Sequence, residues 1–346
     1  MEKIVSKILR SFPPETSHKL TIQALKVSKF IYQDQTEYSN LKIKINGLGF
    51  DNPIGIAAGF DKNGEVIDPL FNVGFGYAEI GTVTPKAQYG NQKPRVFRLD
   101  NDLAIINRLG FNNQGEDHFL KNVSLSKKER VLGINIGPNK DSVNFVDDYV
   151  HLYDKFHAHS DYITINVSSP NTKNLRDMQN FENLDLLLRE ITQLRNSLTK
   201  KMILLKVDPD NTDQHYAMLI NLVQKYKIDG IIATNTTVSR PETIKSTNKF
   251  EEGGLSGKPL GDLSDRVLKF IAKETKNELL LIGVGGISSA KDIYKKIKLG
   301  ASLVQLYTAL TFNNLSFLSD VKFQLSELLK RDSFETISDA IGIDIK

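Results

Sequence analysis

Six consecutive residues, Asn166-Val167-Ser168-Ser169-Pro170-Asn171, present hydroxyl and carboxamide groups together just after an apolar run, Tyr162-Ile163-Thr164-Ile165. The run reads as a buried strand. Pro170 stops it, because proline has no N–H to give a ladder. Alone, the stretch is also what an ordinary Ser/Pro/Asn turn looks like. It gains weight because other apolar runs end in the same kind of residue. Their C-terminal ends carry Ala58-Gly59 with Lys62 beyond, Thr82, Asn135, Lys206, Thr234-Asn235-Thr236, Gly285-Gly286 and Tyr307-Thr308. Polar residues mark where any strand stops. That explains one or two ends well, but poorly explains lysines, asparagines and glycines gathered at the same ends.

The residue types suggest a chemistry. Asn107, Asn135, Asn166, Asn171 and Asn235 each offer both a donor and an acceptor, which neither carboxylates nor lysines do. Such a set suits a planar ligand with alternating C=O and N–H groups, such as a pyrimidine dione. Lys62 can pair with a carboxylate on it. Lys206 can stabilise negative charge on a reduced flavin, or form a Schiff base in an aldolase or isomerase. Gly283-Val284-Gly285-Gly286-Ile287 and Tyr307-Thr308 follow the last two runs, where barrels commonly hold a phosphate. Gly253-Gly254-Leu255-Ser256-Gly257 reads as part of the loop after the sixth run and can add donors.

These residues need a frame that brings strand ends together. Eight apolar runs occur, at Pro53–Ala58, Tyr77–Val83, Val131–Ile136, Tyr162–Val167, Met202–Val207, Gly230–Thr234, Leu279–Val284 and Leu303–Leu306. Helical patterns lie between most of them, as in Phe181–Leu198, with Leu184, Leu187, Leu188, Ile191, Leu194 and Leu198 on one face. Strand–helix alternation implies right-handed βαβ units and a parallel sheet. Eight units in a chain of this length predict an α/β fold, a (β/α)8 TIM barrel, whose active site lies at the C-terminal mouth. The second interval holds extra strands around Arg95–Leu99 and Ala104–Ile106.

Composition narrows the field. The 346 residues include no Cys and no Trp. Disulfides, iron–sulfur clusters and a cysteine nucleophile are therefore excluded, and no His-rich spacing suggests a metal. Residues 1–33 carry Lys3, Lys7, Arg10, Lys19, Lys26 and Lys29 against Glu2 and Glu15, which accounts for the whole net charge of +4. The rest is balanced, so the barrel is no nucleic-acid-binding body. The basic segment reads as two short amphipathic helices. Ile4, Val5, Ile8, Leu9 and Phe12 form one face, ending at Pro13-Pro14. Leu20, Ala24, Val27 and Ile31 form the second, capped by Thr16 or Ser17. No run is long enough to span a membrane and no signal peptide is evident. Two readings fit: an interfacial membrane helix pair, or a helical lid on the barrel. The expected parts are an N-terminal helical segment (1–40), reached through a β-like stretch at Leu41–Ile45, the barrel (41–330) and a tail (331–346).

Several long motifs, in order, resemble those of the dihydroorotate dehydrogenases. They are Ala57-Ala58-Gly59-Phe60-Asp61-Lys62, Asn107-Arg108-Leu109-Gly110-Phe111-Asn112-Asn113, Gly133-Ile134-Asn135-Ile136-Gly137, Asn166 to Asn171, Ala233-Thr234-Asn235-Thr236-Thr237 and Gly253 to Gly257. The resemblance runs from about residue 13 to 330. Ser169 and the N-terminal helices resemble the class 2, membrane-associated, quinone-dependent branch. Soluble class 1 enzymes use a cysteine base, which this chain lacks.

The resemblance implies FMN in the barrel mouth and oxidation of dihydroorotate to orotate in pyrimidine synthesis, with a membrane quinone as acceptor. It implies Ser169 as the base that takes the C5 proton, while the C6 hydride goes to FMN. Substrate would be held by Lys62, Asn107, Arg108, Leu109, Gly110, Phe111, Asn166, Asn171, Asn235 and Thr236. FMN would be held by Ala58, Gly59, Phe60, Asp61, Lys62, Thr82, Asn135, Asn166, Lys206, Thr234, Gly257, Gly286, Tyr307 and Thr308. His18 matches a family histidine near the quinone tunnel, although it also reads as a surface residue at a helix start. Arg98 matches the tunnel arginine. A monomer, peripheral on the cytoplasmic side of the cell membrane, is expected. A tRNA dihydrouridine synthase, a related FMN barrel, would need a basic RNA-binding face and usually a cysteine acid. A membrane-scaffolding protein with an inactive barrel is a further alternative. A serine is a poor base unless its proton is passed on, through Thr172 or water.

Overall fold

The computed structural model describes residues 9–28, 34, 36–314 and 316–345. Eight parallel strands close into a barrel: β1 (Ile54–Ile56), β2 (Tyr77–Val83), β3 (Val131–Ile136), β4 (Tyr162–Asn166), β5 (Met202–Val207), β6 (Gly230–Ala233), β7 (Leu280–Val284) and β8 (Leu303–Leu306). Each pairs with the next in sequence, and β8 closes on β1 through Val304 opposite Ile54. All eight are buried along their length. That is why they read as apolar runs rather than alternating ones: helices cover the outside and side chains fill the inside. The α/β barrel expected from the sequence is the fold, with strand ends shifted by only one or two residues.

The barrel interior is fitted by size. A Cβ on Gly55 would overlap the Tyr77 ring, and one on Gly133 would overlap the Tyr162 ring. Both tyrosines are essentially inaccessible. The Tyr77 hydroxyl donates to Val304 O at 3.0 Å and the Tyr162 hydroxyl to Glu79 at 3.2 Å. Burial drives both phenols well above their ordinary range.

The rim departs from the sequence reading. Gly254–Gly257, expected as loop, is a strand. It pairs antiparallel with Ala104–Asn107, which pairs in turn with Val96–Leu99. Glycines disfavour strands, so the segment is fixed as extended by its partners, Ala104–Asn107 on one side and Thr237, bridged to Leu255, on the other. A second unanticipated strand, Leu48–Phe50, pairs with Ile43–Ile45 across Asn46-Gly47, both of which have positive φ.

The first expected N-terminal helix lies largely outside the described residues, as does Ile31. The second is present at Pro14–Ser28. Its barrel-facing side is Ile22 and Leu25, both buried, whereas Leu20 and Val27 are exposed. The apolar face read from the sequence is thus the one turned outward. Arg95, 3 % exposed, ties the helix down by donating to Glu15 at 2.8 Å and to the Tyr89 and Asn91 carbonyls. Beyond the helix, Asp34 pairs with Lys322 at 2.8 Å, both buried. At the other end, the segment after helix Phe317–Arg331 folds back, burying Ile337 and Ala340. It bonds to Ile297 O and Lys298 O through Gly342 and Asp344 N–H.

Candidate active site

One cavity of about 910 Å³ runs from the barrel mouth out beneath the N-terminal helix. Ser169, Lys206, Asn235 and Gly286 line its inner part, and His18 and Arg98 its outer part. That volume lies within the roughly 300–1,000 Å³ typical of ligand pockets.

The carboxamides form a chain of hydrogen bonds with a fixed polarity. At its base, Glu79 is completely buried in β2 and accepts from Asn135 Nδ2 (2.8 Å), Tyr162 OH (3.2 Å), Thr164 Oγ1 (3.1 Å) and Gln305 Nε2 (2.8 Å). A carboxylate only accepts. Asn135 must therefore turn its amino group down and its oxygen up, where it receives Thr82 Oγ1 at 2.6 Å and Asn166 Nδ2 at 3.0 Å. Asn166 in turn offers its oxygen to Asn235 Nδ2 at 3.3 Å. Asn235 Nδ2 also reaches Ser168 Oγ at 3.0 Å. Across the mouth, Asn171 Nδ2 donates to Asn107 Oδ1 at 3.1 Å.

Among the described residues, two buried polar atoms in this ring have no hydrogen-bond partner, Asn171 Oδ1 and Thr236 Oγ1, and both residues line the cavity. Ser169, 6 % exposed, sits among them and receives the Asn171 N–H at 3.3 Å. Thr172 is buried three residues on, its hydroxyl also without a partner among the described residues. Buried polar atoms are normally paired, so these are exceptions within a ring that is otherwise hydrogen-bonded.

Two lysines enter the cavity. Lys62 Nζ donates to Gly59 O at 2.6 Å. Burial holds its ammonium down to about 8, against the opposing pull of Asp61 and Glu15. Lys206 is buried, with Glu79 at 4.0 Å, and desolvation lowers it too. On the far side, Gly257, Gly285 and Gly286 have positive φ. A Cβ on Gly286 would overlap Gly261 Cα at the start of helix Gly261–Glu274. The backbone there approaches as only glycine allows. Thr308 Oγ1 bonds to Ser256 Oγ at 2.8 Å beside it.

The outer part is mostly apolar. His18 meets Phe60 edge-on at 5.3 Å, and Phe60 meets Tyr307 at 6.3 Å. Burial, then the nearby Lys62 charge, bring the His18 imidazole down to about 3. Burial raises the Tyr307 phenol to about 12. Arg98 donates to the Phe12 carbonyl at the edge of the helix.

Most of the residues singled out from the sequence line this cavity, including Ala58, Gly59, Phe60, Thr82, Leu109, Gly110, Phe111, Thr234 and Tyr307. Arg108 does not. Its guanidinium turns outward to Glu251 (2.8 Å), Glu252 O and Pro94 O and lies over Phe97. Asn135 lies one layer below the surface of the cavity and acts through Asn166. Asp61 uses both carboxylate oxygens on the Glu65 and Val66 N–H groups at 2.8 Å, and burial raises it. Sequence reasoning missed Glu79 and Gln305. The available signal was a charged and an amide side chain inside otherwise apolar strands.

Comparison with known proteins places this geometry. The dihydroorotate dehydrogenase family model matches residues 40–329. The mitochondrial dihydroorotate dehydrogenase (quinone) of Mus musculus is 43 % identical, covering 99 % of this chain and 90 % of its own. The dihydroorotate dehydrogenase (quinone) of Parvibaculum lavamentivorans is 44 % identical, covering 96 % and 95 %. The crystal structure of the Eimeria tenella enzyme with ferulenol superposes with a TM-score of 0.92 at 35 % identity, covering 96 % and 95 %.

Proposed function

The chain belongs to the dihydroorotate dehydrogenase family, and from that we propose that it oxidises (S)-dihydroorotate to orotate, on the route to UMP. FMN is the proposed cofactor and a membrane quinone the electron acceptor. The observation that carries this reading is the ring of carboxamides at the mouth, with Asn171 Oδ1 and Thr236 Oγ1 buried and unpartnered. A planar ring of alternating C=O and N–H groups matches cavity-lining amides that both donate and accept.

The cradle fits the cofactor's phosphate: glycines 257, 285 and 286 all have positive φ, and a Cβ at 257 or 286 would collide with backbone. We assign Lys206, Asn135, Thr82 and Thr234 to the flavin ring side. FMN, when bound, supplies a two-electron acceptor for the hydride from C6. Lys62 holds the substrate carboxylate as an ammonium, with Asn107, Asn166, Asn171, Asn235 and Thr236 around the ring. Ser169 removes the C5 proton. The Asn171 N–H at its Oγ favours the more negative oxygen, and Thr172 or water passes the proton on. Arg108 is assigned to shaping the Asn107–Phe111 loop from outside.

Quinone enters by the outer part, between the N-terminal helix and the barrel, past His18 and Arg98. Phe12, Leu20 and Val27 are exposed on this segment. Among the described residues no helix is long and apolar enough to cross a membrane. A monomer attached peripherally at the cytoplasmic face, through residues 1–40, completes the proposal, with 41–330 as catalytic barrel and 331–346 as a tail. Anaerobic mixing with dihydroorotate tests it. The yellow colour bleaches, and quinone restores it faster than fumarate or NAD. A colourless protein, or one that borohydride couples to substrate at Lys206, would overturn it.

A further inference from the structure

Behind the glycine cradle stands a buried cation that the reaction outlined above does not use. Lys296, on helix Ala290–Lys298, is 1 % exposed. Its stem packs under β7, where a Cβ on Gly283 would come within 3.0 Å of Lys296 Cδ. Its Nζ donates to Ser264 Oγ at 2.8 Å and to Asp265 Oδ1 at 2.6 Å. Ser264, fully buried in the first turn of helix Gly261–Glu274, lies within reach of Gly261 O (2.9 Å) and Gly285 O (3.1 Å).

The directions follow from the donor inventory. An ammonium can only donate, so Ser264 must receive Lys296 on a lone pair. Its single hydrogen is left for the Gly261 and Gly285 carbonyls. In a planar trans peptide the C=O and the following N–H point opposite ways. Drawing Gly285 O back toward Ser264 therefore aims the Gly286 N–H outward, into the cavity that both glycines line. An anion there meets an aligned N–H and, one layer behind, a positive charge that water screens little. The other charges facing Lys296 are Asp265, Lys295 (2.7 Å from Asp265) and Asp292.

We propose that Lys296, acting through Ser264, is a positioning residue for the phosphate end of the cofactor, and that the pair sets the preference for FMN over riboflavin. The proposal rests on the FMN reading and adds to it two residues that touch no ligand. Removing Lys296 leaves Asp265 with Lys295, so Lys296→Met strands no buried carboxylate. Ser264→Ala deletes a single hydroxyl.

Deflavinated full-length protein is titrated with FMN and, separately, with riboflavin, following quenching of the flavin fluorescence. In Ser264→Ala the FMN affinity falls about five- to tenfold, the worth of the one Gly286 N–H hydrogen bond to the phosphate that is no longer held in line. In Lys296→Met it falls about tenfold or more, because the positive charge behind the Gly286 N–H goes together with the hold on Ser264. Riboflavin affinity stays within about twofold in both, the precision with which distant effects separate. Equal losses for both flavins, in both variants, would show a general role in the fold and overturn the proposal. So would unchanged FMN binding in both. If the wild-type protein binds neither flavin, the cofactor reading itself fails, and this proposal with it.

Discussion

Glu79 accepts the Asn135 carboxamide at 2.8 Å at the floor of the barrel, and that bond decides which way the amides above it face. The donor and acceptor pattern offered at the mouth is set one layer down, by a group with no access to the cavity.

Glu79→Ala should therefore cost more than a lost contact. Lys206, 5 % exposed, would remain as a buried cation without its counter-charge. Breaking such pairs typically costs about 3–5 kcal/mol. Urea denaturation should show a loss of that size. The double variant with Lys206→Met should lose clearly less than the two single losses added. Strict additivity would mean that the two groups do not act as a pair.

Ser169→Ala should keep FMN and bind orotate, yet slow flavin reduction by about 10²–10⁴-fold, the usual contribution of a general base. Stopped-flow absorbance under anaerobic conditions reads this directly. Reduction at the wild-type rate would remove Ser169 from the base role. Ser169→Cys should retain part of the activity with a changed pH profile, since a free thiol titrates near about 8.5.

Orotate binding should weaken above pH 8. Lys62 in the free protein is held down to about 8, chiefly by burial. A bound carboxylate favours the ammonium, so binding above pH 8 must also take up a proton. Affinity should be flat below that pH and fall by up to about tenfold per unit above it. The linkage for folding has the opposite slope. Between about 8 and the ordinary 10.5 the unfolded chain holds more protons, so this group makes the free protein more stable as pH rises. Orotate titrations from pH 7 to 10 check the first statement, and Lys62→Met should give weak, pH-independent binding.

Deleting residues 1–33 should leave flavin reduction by dihydroorotate largely intact while impairing reoxidation by long-tailed quinones and releasing the protein from anionic vesicles. Glu15→Ala should act in the same direction more mildly, because Arg95 keeps its two carbonyl partners. Salt should weaken vesicle attachment, at about 1 kcal/mol per cationic side chain near the surface. A truncated protein that still pellets with vesicles and reduces quinone normally would make the segment only a lid.

What the sequence made legible, and what it hid, follows from the range of the forces involved. The eight barrel strands could be read because each is buried on both faces, which leaves an apolar run. Ser169, Lys62 and the asparagines could be read because strand ends must converge in a closed barrel. The Gly254–Gly257 strand could not, since its composition argues against a strand and its partner lies some 150 residues earlier. The outward turn of Arg108 depends on Glu251 and Phe97, far away in sequence or on another strand. The N-terminal helix carries apolar residues on two sides, and periodicity does not say which side meets the barrel. Asn46-Gly47 is the exception: an Asn-Gly pair is itself a strong hairpin signal, and the second strand was legible from it.

The small rim sheet also has a consequence for how the chain is made. Ser256 bonds to Ile105 O across a separation of 151 residues. A growing chain that has already produced Ser169, Asn171 and Asn235 still lacks the strand that completes this rim. Until Gly254–Gly257 is synthesised, Ala104–Asn107 has one unsatisfied ladder edge, carrying Ile105 and Ile106. Such edges are where partly made chains stick to one another. Contacts this distant form slowly, because loop closure comes before any gain from the pairing. Ligand competence should therefore be among the last properties the nascent chain acquires.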